Sequence, residues 1–142
     1  MRLDRPDHLA LGKHIVVQLK AEISDVRQIV QRGELTDVTS GEQVSPSLYV
    51  IYVRDVLPGD GQSQEAQNHI LQQWMVVAAL QGSADQMLAK AGELLAKVRA
   101  ALLGWTPDVG LYDPLQASTP PAALYISDWG YFPLLFTADF YA

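Results

Sequence analysis

The chain has 142 residues, 49% of them apolar and 18% charged, with a net charge of −6 and no cysteine. That length predicts one domain, residues 1–142, able to bury on the order of two-thirds of its unfolded surface, so folding needs no covalent staples. The composition excludes a disordered chain, the missing cysteine excludes disulfides, thiolate metal sites and cysteine nucleophiles, and no apolar run approaches the ~20 residues of a membrane span.

The charge is unevenly placed. Residues 1–32 carry six cations and four acids, and residues 33–142 carry four cations and twelve acids. The charged N-terminus (Arg2, Asp4, Arg5, Asp7) does not read as a signal peptide. An acidic chain without a basic stripe is a poor electrostatic match for nucleic acid, and no such partner is expected.

In chain order, Asp7 to Leu19 predicts a helix: Leu9, Ile15, Val16 and Leu19 lie near one face, and Asp7 after Pro6 is a candidate N-cap. From Ile23 to Leu35 both helical and strand spacings occur; the reading adopted ends the helix near Lys20 and places a strand at Val26 to Arg32. Asp37 to Pro46 has loop chemistry. Leu48 to Val53, β-branched and aromatic on both faces, predicts a central strand. A polar connection, Leu57 to Asn68, carries the turn signal Pro58-Gly59-Asp60-Gly61 and leads to a second strand, Gln72 to Leu80, forming an antiparallel hairpin with the first.

Ser83 to Leu103 predicts an amphipathic helix. Met87, Leu88, Ala91, Leu94, Leu95, Val98 and Leu102 repeat at three and four, Ser83-x-x-Gln86 has the form of a capping box, and Gly104 is placed to end the helix in a left-handed conformation. Gly92 inside it suggests close packing. Beyond Pro107 the chain reads as loop through Pro120-Pro121. Strands then follow at Ala122 to Asp128 and Tyr131 to Tyr141, joined by Trp129-Gly130, with Pro133 marking an edge or bulge. The expected fold is α+β: a small mixed or antiparallel sheet of about five strands with two helices packed on one face.

The search for chemistry is mostly negative. No phosphate loop, GxGxxG turn, HExxH helix or GxSxG elbow is present. His8 and His14 are six residues apart, point to different helix faces and cannot share a metal, and His69 follows a loop. No catalytic residue, cofactor or metal is expected. Aromatic residues concentrate in the last third of the chain, where no lysine or arginine occurs from Ala100 onward. Aromatic side chains anchor interface cores as well as interiors, so Trp105, Tyr112, Trp129, Tyr131 and Phe132, with the turn Pro58, Gly59, Asp60 and Gly61, are the candidate contact residues.

The N-terminal helix, the strand pair around Tyr49–Val53 and Trp74–Leu80, the helix running into Leu103-Gly104-Trp105-Thr106-Pro107, the downstream Pro114-Leu115 and the closing hairpin Trp129-Gly130-Tyr131 to Tyr141 together carry a resemblance. The chain resembles the tail terminator (tail completion) proteins of tailed bacteriophages and prophages over roughly residues 5–142. It departs from them in the alanine- and proline-rich stretch Ala117 to Ala123, where many relatives carry glycines.

The resemblance implies a non-enzymatic virion protein that forms a ring, usually a hexamer, on the head-proximal end of the tail tube. Such a ring stops polymerisation of the tube protein and offers a docking surface to the head connector or neck. It implies assembly in the host cytoplasm and a place at the head–tail junction, with no membrane and no nucleic acid sequence recognition. Two other classes stay open: a head–tail connector or neck protein, and a small ligand-binding or enzymatic α+β domain.

Overall fold

The computed structural model describes residues 7–40, 43–57, 69–108 and 110–141. The elements are α1 (Leu11–Glu22), β1 (Gln28–Arg32), α2 (Leu35–Ser40), β2 (Ser47–Val56), β3 (His69–Gln81), α3 (Ala84–Leu102), β4 (Gln116–Ser118), β5 (Leu124–Ile126) and β6 (Trp129–Tyr141). One six-stranded sheet runs β1-β2-β3-β6-β4, and β5 also pairs with β6. Only β1 and β2 are parallel, and α2 lies in the crossover between them. The α+β class is as expected, with six strands in place of about five.

Helix α1 buries Leu11, Ile15 and Leu19, an i, i+4, i+8 stripe. Asp7 does not cap it; its Oδ1 accepts from the Leu9 N–H at 3.0 Å in a preceding turn, and Ala10 occupies the N-cap without a side-chain bond. The helix meets the sheet at Gly12, where a Cβ would lie 2.8 Å from Trp74 Cζ3 and would also strike Gln31. Strands β2 and β3 pair as the predicted hairpin, with a bulge between Tyr52 and Arg54. Strand β3 then pairs with β6 without interruption from His69↔Tyr141 to Gln81↔Trp129.

Helix α3 lies where the apolar repeat put it, burying Met87, Ala91, Leu94, Val98, Ala101 and Leu102; Leu95 is half-buried, and Leu88, counted in the repeat, is exposed at the flank of the stripe. Ser83 occupies the N-cap, but its side chain makes no capping bond, so the reciprocal box with Gln86 does not form; the Ser83 carbonyl accepts from the Met87 N–H at 2.8 Å. Gly104 ends the helix at φ +78° and donates its N–H to the Leu115 carbonyl at 2.8 Å. Gly92 is exposed, and a Cβ there would meet nothing within 4 Å, so it does not mark close packing. Gly92→Ala should therefore raise the unfolding free energy by about 0.5–1 kcal/mol, read as a higher urea midpoint at unchanged slope.

Four local expectations are corrected. The stretch read as loop from Asp37 contains most of α2, because Val38 and Leu35 pack onto the sheet while Asp37 Oδ2 accepts from the Glu34 N–H at 3.2 Å; tertiary burial outweighs poor propensity. Strand β4 forms inside the predicted loop before Pro120. The hairpin between β5 and β6 turns at Ser127-Asp128, with Ser127 at φ +55°, so Trp129 and Gly130 belong to β6. Pro133 sits inside β6 opposite Val77; β4 pairs only with residues 135–137 and β5 only with residues 129–131, which leaves Pro133 a ladder partner on one side alone.

Strand alternation divides the interior in two. On one face, α1 and α3 cover Leu48, Val50, Trp74, Val76, Ala78, Phe132, Phe136 and Phe140. On the other, a second cluster joins Tyr49, Ile51, Met75, Val77, Ala79 and Tyr131 to Val38 of α2. Among the described residues the long helices share one face, and the six-residue α2 stands on the other.

Candidate interaction surfaces

The aromatic candidates separate by burial. Tyr112, Tyr131 and Phe132 are interior residues of the single chain. Tyr112 stacks on Phe140 at 5.1 Å, Phe132 meets Tyr125 edge-on at 5.7 Å, and the Tyr131 hydroxyl donates to Gln43 Oε1. Burial pushes the Tyr131 phenol above its ordinary range. These three rings are thus spent on the chain's own core: consecutive Tyr131 and Phe132 enter the two opposite clusters because both faces of β6 are covered, and Tyr112 packs on Phe140. Trp105 is half-buried beside the helix-face core, its carbonyl accepting from the Leu115 N–H at 2.9 Å. Trp129 is half-buried on the opposite face, stacked on Tyr131 at 6.3 Å. Pro58, Gly59, Asp60 and Gly61 lie outside the described residues.

The residues left at the surface are different ones. Leu124, Tyr125 and Ile126 form all of β5 and are 38%, 58% and 44% exposed. Leu124 and Ile126 pair with Tyr131 and Trp129, so they extend the face that lacks a long helix. That face also carries half-buried Val30, Val53 and Leu135 around its buried cluster. Strand β5 is not among the candidate contact residues read from the sequence, because residue type does not tell an exposed aromatic or aliphatic side chain from a buried one. Pro120-Pro121, which carry no N–H to donate, precede β5 and keep the strand line beside β6 from running unbroken from β4 to β5. At the opposite edge of the sheet, the Arg32 guanidinium lies 5.5 Å over the Tyr49 ring.

The end of the sheet that bears the Leu57–Asn68 connection is polar and locked. His8 Nε2 and Asp55 Oδ2 are 2.6 Å apart, the Tyr52 hydroxyl donates to Asp55 Oδ1 at 2.8 Å, and buried Gln72 donates to the His8 carbonyl at 2.8 Å. Gln72 Oε1 in turn accepts from Trp74 Nε1–H at 3.0 Å. Burial, reinforced by Asp55, pushes the Tyr52 phenol up to about 12. Beside this group His69 pairs with Asp139 at 2.7 Å and stacks on Tyr141 at 4.9 Å, and the Tyr141 hydroxyl donates to Asp113 at 2.9 Å. The two histidine–aspartate pairs therefore brace the two ends of the connection. Among the described residues no cluster of three or more histidine or acidic side chains could hold a metal ion, and no helix is long and apolar enough to cross a membrane.

Comparison with known proteins bears on what such surfaces serve. A solved chain of a structure described as "Virion of native gene transfer agent (GTA) particle" superposes with a TM-score of 0.65, covering 96% of this chain and 100% of that one at 15% identity, which shows a shared fold. None of the curated proteins matches the sequence. The phage tail terminator protein family matches over residues 7–142, nearly the whole chain. The chain belongs to that family and is a structural protein of the phage tail.

Proposed function

We propose that copies of this chain close into a ring, a hexamer by resemblance to the family, that caps the head-proximal end of the tail tube, ends its polymerisation and receives the head connector or neck. Family membership over residues 7–142 carries this reading. The surfaces support it. A closed ring needs two unlike patches on each subunit, and this chain has a cationic N-terminal part and an acidic, aromatic C-terminal part, with unlike strands at its two sheet edges. Termination then needs no reaction. One ring face matches the tube end, and the other lacks a tube-like surface, so no further ring adds.

The braced connection with Pro58, Gly59, Asp60 and Gly61 at its turn is the proposed tube contact, and half-buried Trp105 and Trp129 are the aromatic candidates that keep some surface for a neighbour. The test measures solution mass with and without purified tube protein and images tube ends. The expected result is a ring on one end of each tube. Deleting residues 58–61 should leave far-UV circular dichroism and melting near wild type yet abolish capping, giving tails of uncontrolled length. Normal tail lengths from the deletion would reject the loop assignment; a ring on the portal complex in place of the tube would make the chain a neck protein.

A further inference from the structure

The two edges of the sheet are unlike each other: β1 forms one, and β4 and β5, each paired to β6, form the other. Strand β5 pairs with β6 through Leu124↔Tyr131, Tyr125↔Gly130 and Ile126↔Trp129, and among the described residues no backbone bond reaches its other side. In a two-residue hairpin the closing pair, here Ile126 and Trp129, exchanges both backbone bonds; alternation then turns the Tyr125 N–H and C=O outward. Natural proteins blunt such edges with charge, proline or a covering element. Within Leu124-Tyr125-Ile126 there is neither charge nor proline, and all three side chains are exposed. At the far edge, β1 likewise lacks an outer backbone partner among the described residues. The Arg27 N–H reaches the Pro46 carbonyl at 2.8 Å, so by alternation the Gln28 N–H points away from β2.

We propose that β5 of one copy pairs with β1 of the next, continuing the sheet from subunit to subunit; this rests on the ring reading above. Direction favours it. Strand β1 runs with β2, β3 runs against β2, β6 against β3 and β5 against β6, so a neighbour's β1 laid beside β5 in a continuous sheet pairs antiparallel, the more stable ladder. Charge favours it too. Arg27 and Arg32 flank or end β1, whereas the β5 hairpin turns at Asp128 in a stretch without lysine or arginine. The two edges differ, so the contact is heterologous and propagates around a ring; pairing of β5 with a second β5 would stop at a dimer.

Tyr125→Pro removes the outward N–H while sparing the two backbone-bonded pairs with β6, and Tyr125→Ala removes the ring but keeps that N–H. Under conditions where wild type assembles, light scattering should find Tyr125→Pro at the monomer mass of 15.6 kDa, with circular dichroism unchanged, and Tyr125→Ala still assembled. Gln28→Pro, at the first residue of β1, should also be monomeric. An equal mixture of the two proline variants has one intact edge on each and should form dimers. A Tyr125→Pro ring of wild-type mass overturns the edge contact and leaves the ring reading standing, and a Gln28→Pro dimer overturns it in favour of two β5 strands. If Tyr125→Pro does not fold, Gln28→Pro decides by the same readout. Wild type that stays monomeric even on tube protein overturns the ring reading, and this contact with it.

Discussion

Trp74→Ala should lower the unfolding free energy by about 3–5 kcal/mol and the melting temperature by roughly 10–20 °C. Trp74 is 1% exposed and is the seat for α1: Gly12 lies against its ring, and Tyr52 meets it edge-on at 5.4 Å. Truncation opens a cavity between helix and sheet. It also strips Gln72 Oε1 of its donor in a fully buried position, and an orphaned buried acceptor costs about 1–3 kcal/mol. The same amide holds the His8 carbonyl, so freeing its Oε1 loosens the Gln72 anchor of the turn that starts α1. Trp74→Phe keeps most of the volume and should cost about 1–3 kcal/mol. Urea titrations of the three proteins check the order. A Trp74→Ala midpoint close to wild type would mean that α1 is held elsewhere.

The second large effect is alkaline. The phenols of Tyr52 and Tyr112 are both pushed up to about 12 from 10.0, in each case first by burial; Asp55 adds to the shift of Tyr52, and Asp108 and Asp7 add to that of Tyr112. An unfolded tyrosine loses its proton near pH 10, whereas these folded ones keep theirs to about 12. Between those values the unfolded chain binds fewer protons, so stability is complete below about pH 10 and falls as pH rises toward 12. For Tyr112, 3% exposed, the loss is about 2–3 kcal/mol. Its hydroxyl is buried with no hydrogen-bond partner among the described residues. Tyr112→Phe should thus be neutral or up to about 1 kcal/mol more stable at pH 7 and should lose about 2–3 kcal/mol less than wild type by pH 12. Parallel stability curves for the two proteins from pH 9 to 12 would show that the Tyr112 phenol ionises as freely folded as unfolded.

Elements with a long local period are legible in the sequence. The apolar stripe of α3, the doubly buried β2 and the left-handed Gly104 are where the residues put them. Among the short elements, β5 lies inside the strand predicted at Ala122 to Asp128, but β4 and α2 fall in stretches that read as loop. Three residues of β4 and six of α2 are too few to display a period, and each exists because a neighbour offers it a partner. The candidate site suffered most. Aromatic character marks cores and interfaces alike, so Tyr112, Tyr131 and Phe132 looked the same as exposed Tyr125.

What the chain determined by itself was the class of fold, the absence of recognised catalytic motifs and the resemblance to tail terminators, all of which rest on residue type and spacing. Which face of each strand is buried, which strands end the sheet and which aromatics reach solvent were decided only in the folded molecule. The physical reason is that alternation fixes two faces per strand but does not say which neighbours will cover them. Here α1 and α3 cover one face, the short α2 stands on the other, and Pro120-Pro121 interrupts the strand line beside β6 and leaves β5 at the edge.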